Sequence, residues 1–191
     1  MIVGDPSRFA IKSEITTAYD NAGLLALGYF VVHVNGLRYG VQDSDATMLA
    51  CSFDEVDRRL KGRGSHLAGS AIGLPAGTIA DAFRAAIYGV VDPAEDPNRG
   101  AIEAFGEDST SHLEWTDGDE AFDDGSYLLQ FDVGERVRLI AFRCLDDGLR
   151  DPTCTAEVWL AADCFYGVLR EWHEKFHAEW LSLPKVRAME D

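Results

Sequence analysis

ALGYFVVHVNGLRYGV, residues 26–41, is the stretch on which the architecture turns. Its β-branched and aromatic side chains favour extended backbone, and Asn35-Gly36 interrupts them once. A two-residue type I′ turn needs positive φ at both central positions, which Asn and Gly tolerate best, so the stretch predicts a hairpin. Tyr29 to Val34 is apolar on both faces, which predicts a strand lying centrally in its sheet.

Working outward, Phe9, Ile11, Ser13 and Ile15 alternate with mostly polar residues, the pattern of a half-buried strand. Further on, Ser126–Asp132 and Arg136–Leu145 are predicted strands joined by a short turn at Gly134, and Thr155–Leu160 is another. Strands that arrive as adjacent hairpins, with no β-α-β rhythm and no internal repeat, point to an α+β fold. We expect a mainly antiparallel sheet built from hairpins, with about three helices packed on one face.

Three segments carry helical signals. Ser52-Phe53-Asp54-Glu55 has the form of a capping box and should open a short helix with Phe53, Val56 and Leu60 on one face. Thr78 and Asp81 repeat the capping logic ahead of a stripe formed by Ile79, Ala82, Phe83, Ala86, Ile87 and Val90. Asp163 is a fitting N-cap for a last helix running to about Leu181, before Pro184. The Gly-rich residues 62–77 between the first two helices are expected to be a flexible connector. They fail the dinucleotide-binding pattern because Leu67 stands where its third glycine belongs, and they lack the Lys-Ser/Thr of a P-loop. Ser65, His66 and Ser70 lie here without the G-x-S-x-G of a hydrolase nucleophile.

At 191 residues the chain is expected to form a single domain, 1–191. It has no apolar run approaching the ~20 residues that span a bilayer, and its first residues have neither a basic nor a hydrophobic signal region. The cytoplasm is therefore the expected compartment. Cys51, Cys144, Cys154 and Cys164 form no C-x-x-C pair and are expected to be reduced, partly buried thiols, with Cys144 and Cys154 flanking a predicted hairpin loop. His33, on the central strand, is expected to be a hydrogen-bonded core residue.

The net charge of −16 argues against direct binding of nucleic acid or of an anionic membrane, both of which need a basic footprint. Most of that charge is concentrated. Between Asp92 and Asp124 stand twelve acids and one base, Arg99, leaving −11 in a loop-rich insertion with a turn of helix expected at 101–105. A surface so charged either solvates the protein or docks on a basic partner, whose association it would steer. For the second case the contact residues are Asp108, Glu114, Asp117, Asp119, Glu120, Asp123 and Asp124, with Trp115 and Phe122 as aromatic anchors. The segment DGDEAFDDG resembles a calcium loop in composition only, since Phe131 falls where the ligating Glu is required.

HEKFH, residues 173–177, fits the H-E-x-x-H pattern in which two histidines bind zinc and the glutamate activates water. Catalytic zinc needs a third protein ligand. The metzincin positions for the Gly and third His hold Trp180 and Leu183 here, and only fourteen residues follow His177. Phe165, Leu169, Trp172, Phe176 and Trp180 already define a buried stripe on this helix. His173 and His177 lie about 100° around from Trp172 and Phe176, at its edge. They are expected to be helix surface, at most an adventitious metal pair, and no cofactor or catalytic residue is assigned.

Met1-Ile2-Val3-Gly4-Asp5-Pro6 followed by Phe9-Ala10-Ile11 resembles the start of the bacterial immunity protein 42 family. So does Gly28-Tyr29-Phe30-Val31-Val32-His33-Val34-Asn35-Gly36, and Glu157-Val158-Trp159-Leu160 before a Phe/Trp-rich helix fits the same pattern. The resemblance implies a non-enzymatic inhibitor, encoded beside a polymorphic toxin, that protects the producing cell by binding the toxin. Many toxin domains are nucleases with basic clefts, for which an acidic surface is a natural complement. The other expectations are a regulatory or binding module for a different basic partner, and a zinc metalloprotease. The oligomeric state is not legible.

Overall fold

The computed structural model describes residues 1–21, 23–67, 72–88, 112–116 and 118–187. Two antiparallel-based sheets form the frame. In the six-stranded sheet β1 (Ile2–Asp5), β2 (Phe9–Tyr19), β3 (Ala26–Val34) and β4 (Leu37–Tyr39) are neighbours in that order, and β5 (Thr47–Met48) pairs with β3. The chain's last strand, β9 (Lys185–Val186), returns to pair in parallel with the end of β2. The three-stranded sheet is β6 (Ser126–Val133), β7 (Arg136–Arg143) and β8 (Ala156–Ala161).

The hairpin at Asn35-Gly36 forms as expected, with φ of 49° and 83° at its two residues. β3 is central, flanked by β2 on one side and by β4 and β5 on the other. Gly28 is required where β2 bulges between Ile15 and Thr17, because a Cβ there would stand 1.9 Å from the Glu14 carbonyl oxygen.

Among the described residues three helices pack on this frame: α1 (Leu49–Lys61), α2 (Ala76–Tyr88) and α3 (Ala162–Ser182). The α3 stripe is as the sequence spacing predicts: Phe165, Leu169, Trp172 and Phe176 are fully buried. They meet Phe9 and Phe30 of the large sheet, with ring centroids 4.9 Å apart for Phe9–Phe165 and 5.0 Å for Phe30–Trp172. Leu128, Val137, Leu139, Ala141 and Leu160 of the small sheet join the same core. Trp180, at the end of the stripe, is half-buried and its indole N–H donates to the Leu25 carbonyl at 2.8 Å.

The small sheet is covered on both faces, where one was expected. Its other face, carrying Leu129, Phe131, Ile140 and Phe142, forms a second apolar cluster with Ile79, Ala82 and Phe83 of α2. Alternation along β6 and β7 sends neighbouring residues to opposite clusters. Ile87, predicted to join this stripe, is instead exposed, and Val90 lies outside the described residues.

All three helix starts differ from the sequence expectation. α1 begins at Leu49, after an uncapped Met48, so Ser52 lies inside the helix and caps nothing. Its hydroxyl donates to Asp119 Oδ2 at 2.5 Å. α2 begins at Ala76, ahead of Thr78, and Asp81 is engaged by Arg150 at 2.8 Å. α3 starts at Ala162, and Asp163 stands in its first turn, paired with Arg63 at 2.6 Å. All four cysteines are free, but Cys51 and Cys164 are exposed rather than partly buried. Across its hairpin the residue opposite Cys144 is Arg150, in an isolated antiparallel backbone bridge.

Candidate partner-binding surface

Residues 112–116 run beside β6, joined to it by an isolated antiparallel bridge between Glu114 and Leu129. Trp115 N–H donates to the Leu128 carbonyl at 3.0 Å, and Gln130 N–H to the Leu113 carbonyl at 2.9 Å. A 3-10 turn at Glu120–Phe122 then leads into β6. Between these pieces lies a cleft of about 300 Å3 lined by Glu114, Thr116, Asp119, Glu120, Asp123 and Tyr127, among others. Four of those six carry carboxylates, and all four were predicted contact residues.

Their roles divide by orientation. Glu120 and Asp123 are exposed. Asp119 is buried and serves the chain itself, accepting from Thr47 Oγ1 at 2.9 Å, Ser52 Oγ at 2.5 Å and the Ala121 amide at 2.9 Å. Glu114 is buried and accepts from Thr116 Oγ1 at 2.6 Å. Asp124 pairs with Arg143 at 2.7 Å, so its charge is already met. Asp108 and Asp117 lie outside the described residues, as does the predicted helical turn at 101–105.

Trp115 and Phe122 are not surface anchors. Trp115 retains 2 % of its exposure, packs edge-on against Phe9, and donates from Nε1 to Gln130 Oε1 at 3.0 Å. Phe122 stands edge-on against Phe30, 6.2 Å between centroids. An aromatic in a charged stretch stands out in sequence as a contact anchor. Here the aromatics are what fasten that stretch to the core.

The acidic character reaches onto α1. Burial first, then the charges of Asp119, Asp54 and Glu120, push the Cys51 thiol above its usual range. Three carboxylates from two separate segments therefore act on one point of the surface.

Residues 62–67 are not the flexible connector expected. His66 is buried, and both its backbone N–H and its Nδ1 meet Asp132 Oδ2, at 3.2 and 2.8 Å. Gly64 N–H donates to the same oxygen, and the Tyr166 hydroxyl donates to Oδ1, each at 2.8 Å. Gln130 Nε2 donates to the Tyr166 oxygen at 2.7 Å. Burial alone would raise the Asp132 pKa, but hydrogen bonds from His66 and Tyr166 outweigh it and hold the carboxyl below its usual range. Burial raises the Tyr166 phenol. The network is internally satisfied and ties α3, β6 and the loop together. Nothing in the sequence spacing joins residues 66, 130, 132 and 166.

The HEKFH histidines face α1, where the Phe53 ring stacks on His173, 4.0 Å between centroids, and lies tilted 6.1 Å from His177. Burial lowers the His173 pKa. Among the described residues no three His, Cys, Asp or Glu side chains converge on a common metal position. His33 is half-buried with its pKa lowered by burial and then by Lys12 and Arg38. Its Nε2 has no hydrogen-bond partner, contrary to the expected core hydrogen bond. Among the described residues no helix is long and apolar enough to cross a membrane.

The fold has a counterpart in the crystal structure of CdiI from Burkholderia dolosa AUO158, with a TM-score of 0.59 and 17% identity over 92% of this chain and 99% of that one. No curated protein sequence matches the chain. The sequence model of the immunity protein 42 family matches residues 1–175, and of the elements among the described residues the three helices and eight of nine strands lie wholly or largely within that span. The chain belongs to the immunity protein 42 family.

Proposed function

We propose that the protein neutralises a toxin domain by stoichiometric binding, setting the acidic cleft at residues 114–127 against a basic surface of the toxin. The observation that carries this is the pair of exposed carboxylates, Glu120 and Asp123, on a cleft whose remaining acids are held inward. Exposed like charges repel one another and contribute nothing to folding, but they steer a cationic partner and raise its association rate. A basic nucleic-acid-binding cleft is the kind of toxin surface that such a charge pair fits, and a nuclease working in the cytoplasm is the toxin we favour. Inhibition by occlusion needs no catalytic group in the inhibitor.

The test pairs survival with kinetics. The toxin domain encoded immediately upstream is expressed with and without this protein, and rescue is expected only with it. Binding is then followed by stopped flow across a salt series for wild type and for the double variant Glu120→Gln, Asp123→Asn. The variant is expected to associate about fivefold more slowly at low salt, with a flatter salt dependence. Unchanged association would place the interface elsewhere on the molecule.

A further inference from the structure

We propose that Arg59 is a positioning residue for partner binding, a buried guanidinium that sets the wall of the acidic cleft from behind. The inference rests on the cleft being the toxin-binding surface. Residues 112–116 pair with β6 through Leu113 and Trp115. Backbone polar groups alternate in direction along a strand, so the carbonyls of His112 and Glu114 point the other way, where a further strand would ordinarily receive them. Arg59 takes that place. Its Nη1 donates to the His112 carbonyl at 2.7 Å and its Nη2 to the Glu114 carbonyl.

The side chain is built into the protein. Arg59 is fully buried on α1, its Nε donates to Glu55 one helical turn back, and its guanidinium lies 5.6 Å from the centre of the Trp115 ring. A planar fork spans two acceptors in one fixed geometry, which a lysine ammonium does not. The carbonyl of Glu114 is thereby fixed, and with it the direction of the Glu114 and Thr116 side chains that line the cleft. Arg59 contributes shape, whereas Glu120 and Asp123 contribute long-range charge.

That division predicts opposite kinetic signatures. Arg59→Lys and Arg59→Met leave the exposed carboxylates in place, so association with the upstream-encoded toxin domain stays within about twofold of wild type. Dissociation rises about tenfold, the scale of one buried hydrogen-bond arrangement lost. Hydrogen exchange at the Trp115 and Gln130 amides accelerates in both variants. A general loss of stability would lower the active fraction without altering the dissociation rate of the folded molecules. If Arg59→Met does not fold, the charge-conserving Arg59→Lys carries the test. Wild-type dissociation from Arg59→Lys, with its Trp115 amide exchanging faster, would overturn the proposal. Unchanged association of the Glu120→Gln, Asp123→Asn variant would overturn the cleft itself, and the two failures are separable.

Discussion

Asp119→Ala should cost the folded protein about 2–4 kcal/mol, although the residue lies in a charged surface segment where substitutions usually fall within about 0.5 kcal/mol. The carboxylate is 7 % exposed and accepts three hydrogen bonds, from Thr47, Ser52 and the Ala121 amide. Hydrogen bonds to a charged group contribute about 1.5–3 kcal/mol each, so a naive sum would be larger. Two of the donors have alternatives, however. The Thr47 hydroxyl already stands 3.4 Å from the Met48 carbonyl, and a serine inside a helix can turn to the carbonyl four residues back. The Ala121 amide has no such escape, and losing its cap on the 3-10 turn adds about 0.5–2 kcal/mol. Urea unfolding followed by tryptophan fluorescence would measure the change, with the slope expected to stay at its wild-type value. Asp119→Asn should recover part of the loss, because its amide oxygen can still accept from Ala121. A loss below about 0.5 kcal/mol for Asp119→Ala would refute the claim that this carboxylate is structural.

Trp115→Ala and Phe122→Ala should each destabilise by about 3–5 kcal/mol, as large-to-small core substitutions do, when read by the same unfolding assay. Glu120→Gln and Asp123→Asn should each leave stability within about 0.5 kcal/mol of wild type. The pKa of His173 is lowered from 6.5 by burial, so on acidification the unfolded chain takes up the proton before the folded one does. Stability should therefore fall as pH drops through 6.5 towards the lower folded value, then level off. His33 acts in the same direction. In unfolding curves taken between pH 7.5 and 5, a range chosen to bracket the histidine transition at about 6.5, His173→Phe should show a shallower fall than wild type. An equal fall would assign the pH dependence to other groups.

Much of the frame was legible because it is local. Asn35-Gly36 sets its own turn, and the α3 stripe is fixed by spacing that Phe165, Leu169, Trp172 and Phe176 carry in the chain itself. Failures arose where a partner distant in sequence claimed a local signal. Ser52 satisfies every rule for a helix cap, yet its hydroxyl is taken by Asp119, 67 residues away. Asp81 is taken by Arg150, and His66 by Asp132. The division into two sheets is likewise invisible in a series of hairpins, since strand signals do not say which strands are neighbours. For the cleft, charge density marks the acidic segment, but composition does not distinguish a carboxylate turned towards solvent from one turned towards its own backbone. Arg59 gave no signal, because a basic residue on an amphipathic helix looks like any other until the carbonyls it serves are seen.

The five residues from Asp119 to Asp123 combine fixed and free positions within little more than one turn of chain. Asp119, Ala121 and Phe122 are buried, while Glu120 and Asp123 stand in solvent. Sequence change at the two outward positions is uncoupled from folding, whereas change at the three inward ones is not. If the cleft is the toxin-binding surface proposed above, a lineage facing a drifting or newly acquired toxin can re-tune its charge in single steps, each step leaving a folded protein. On the proposed docking mode, specificity is carried on a part of the molecule that can be rewritten without rebuilding its support.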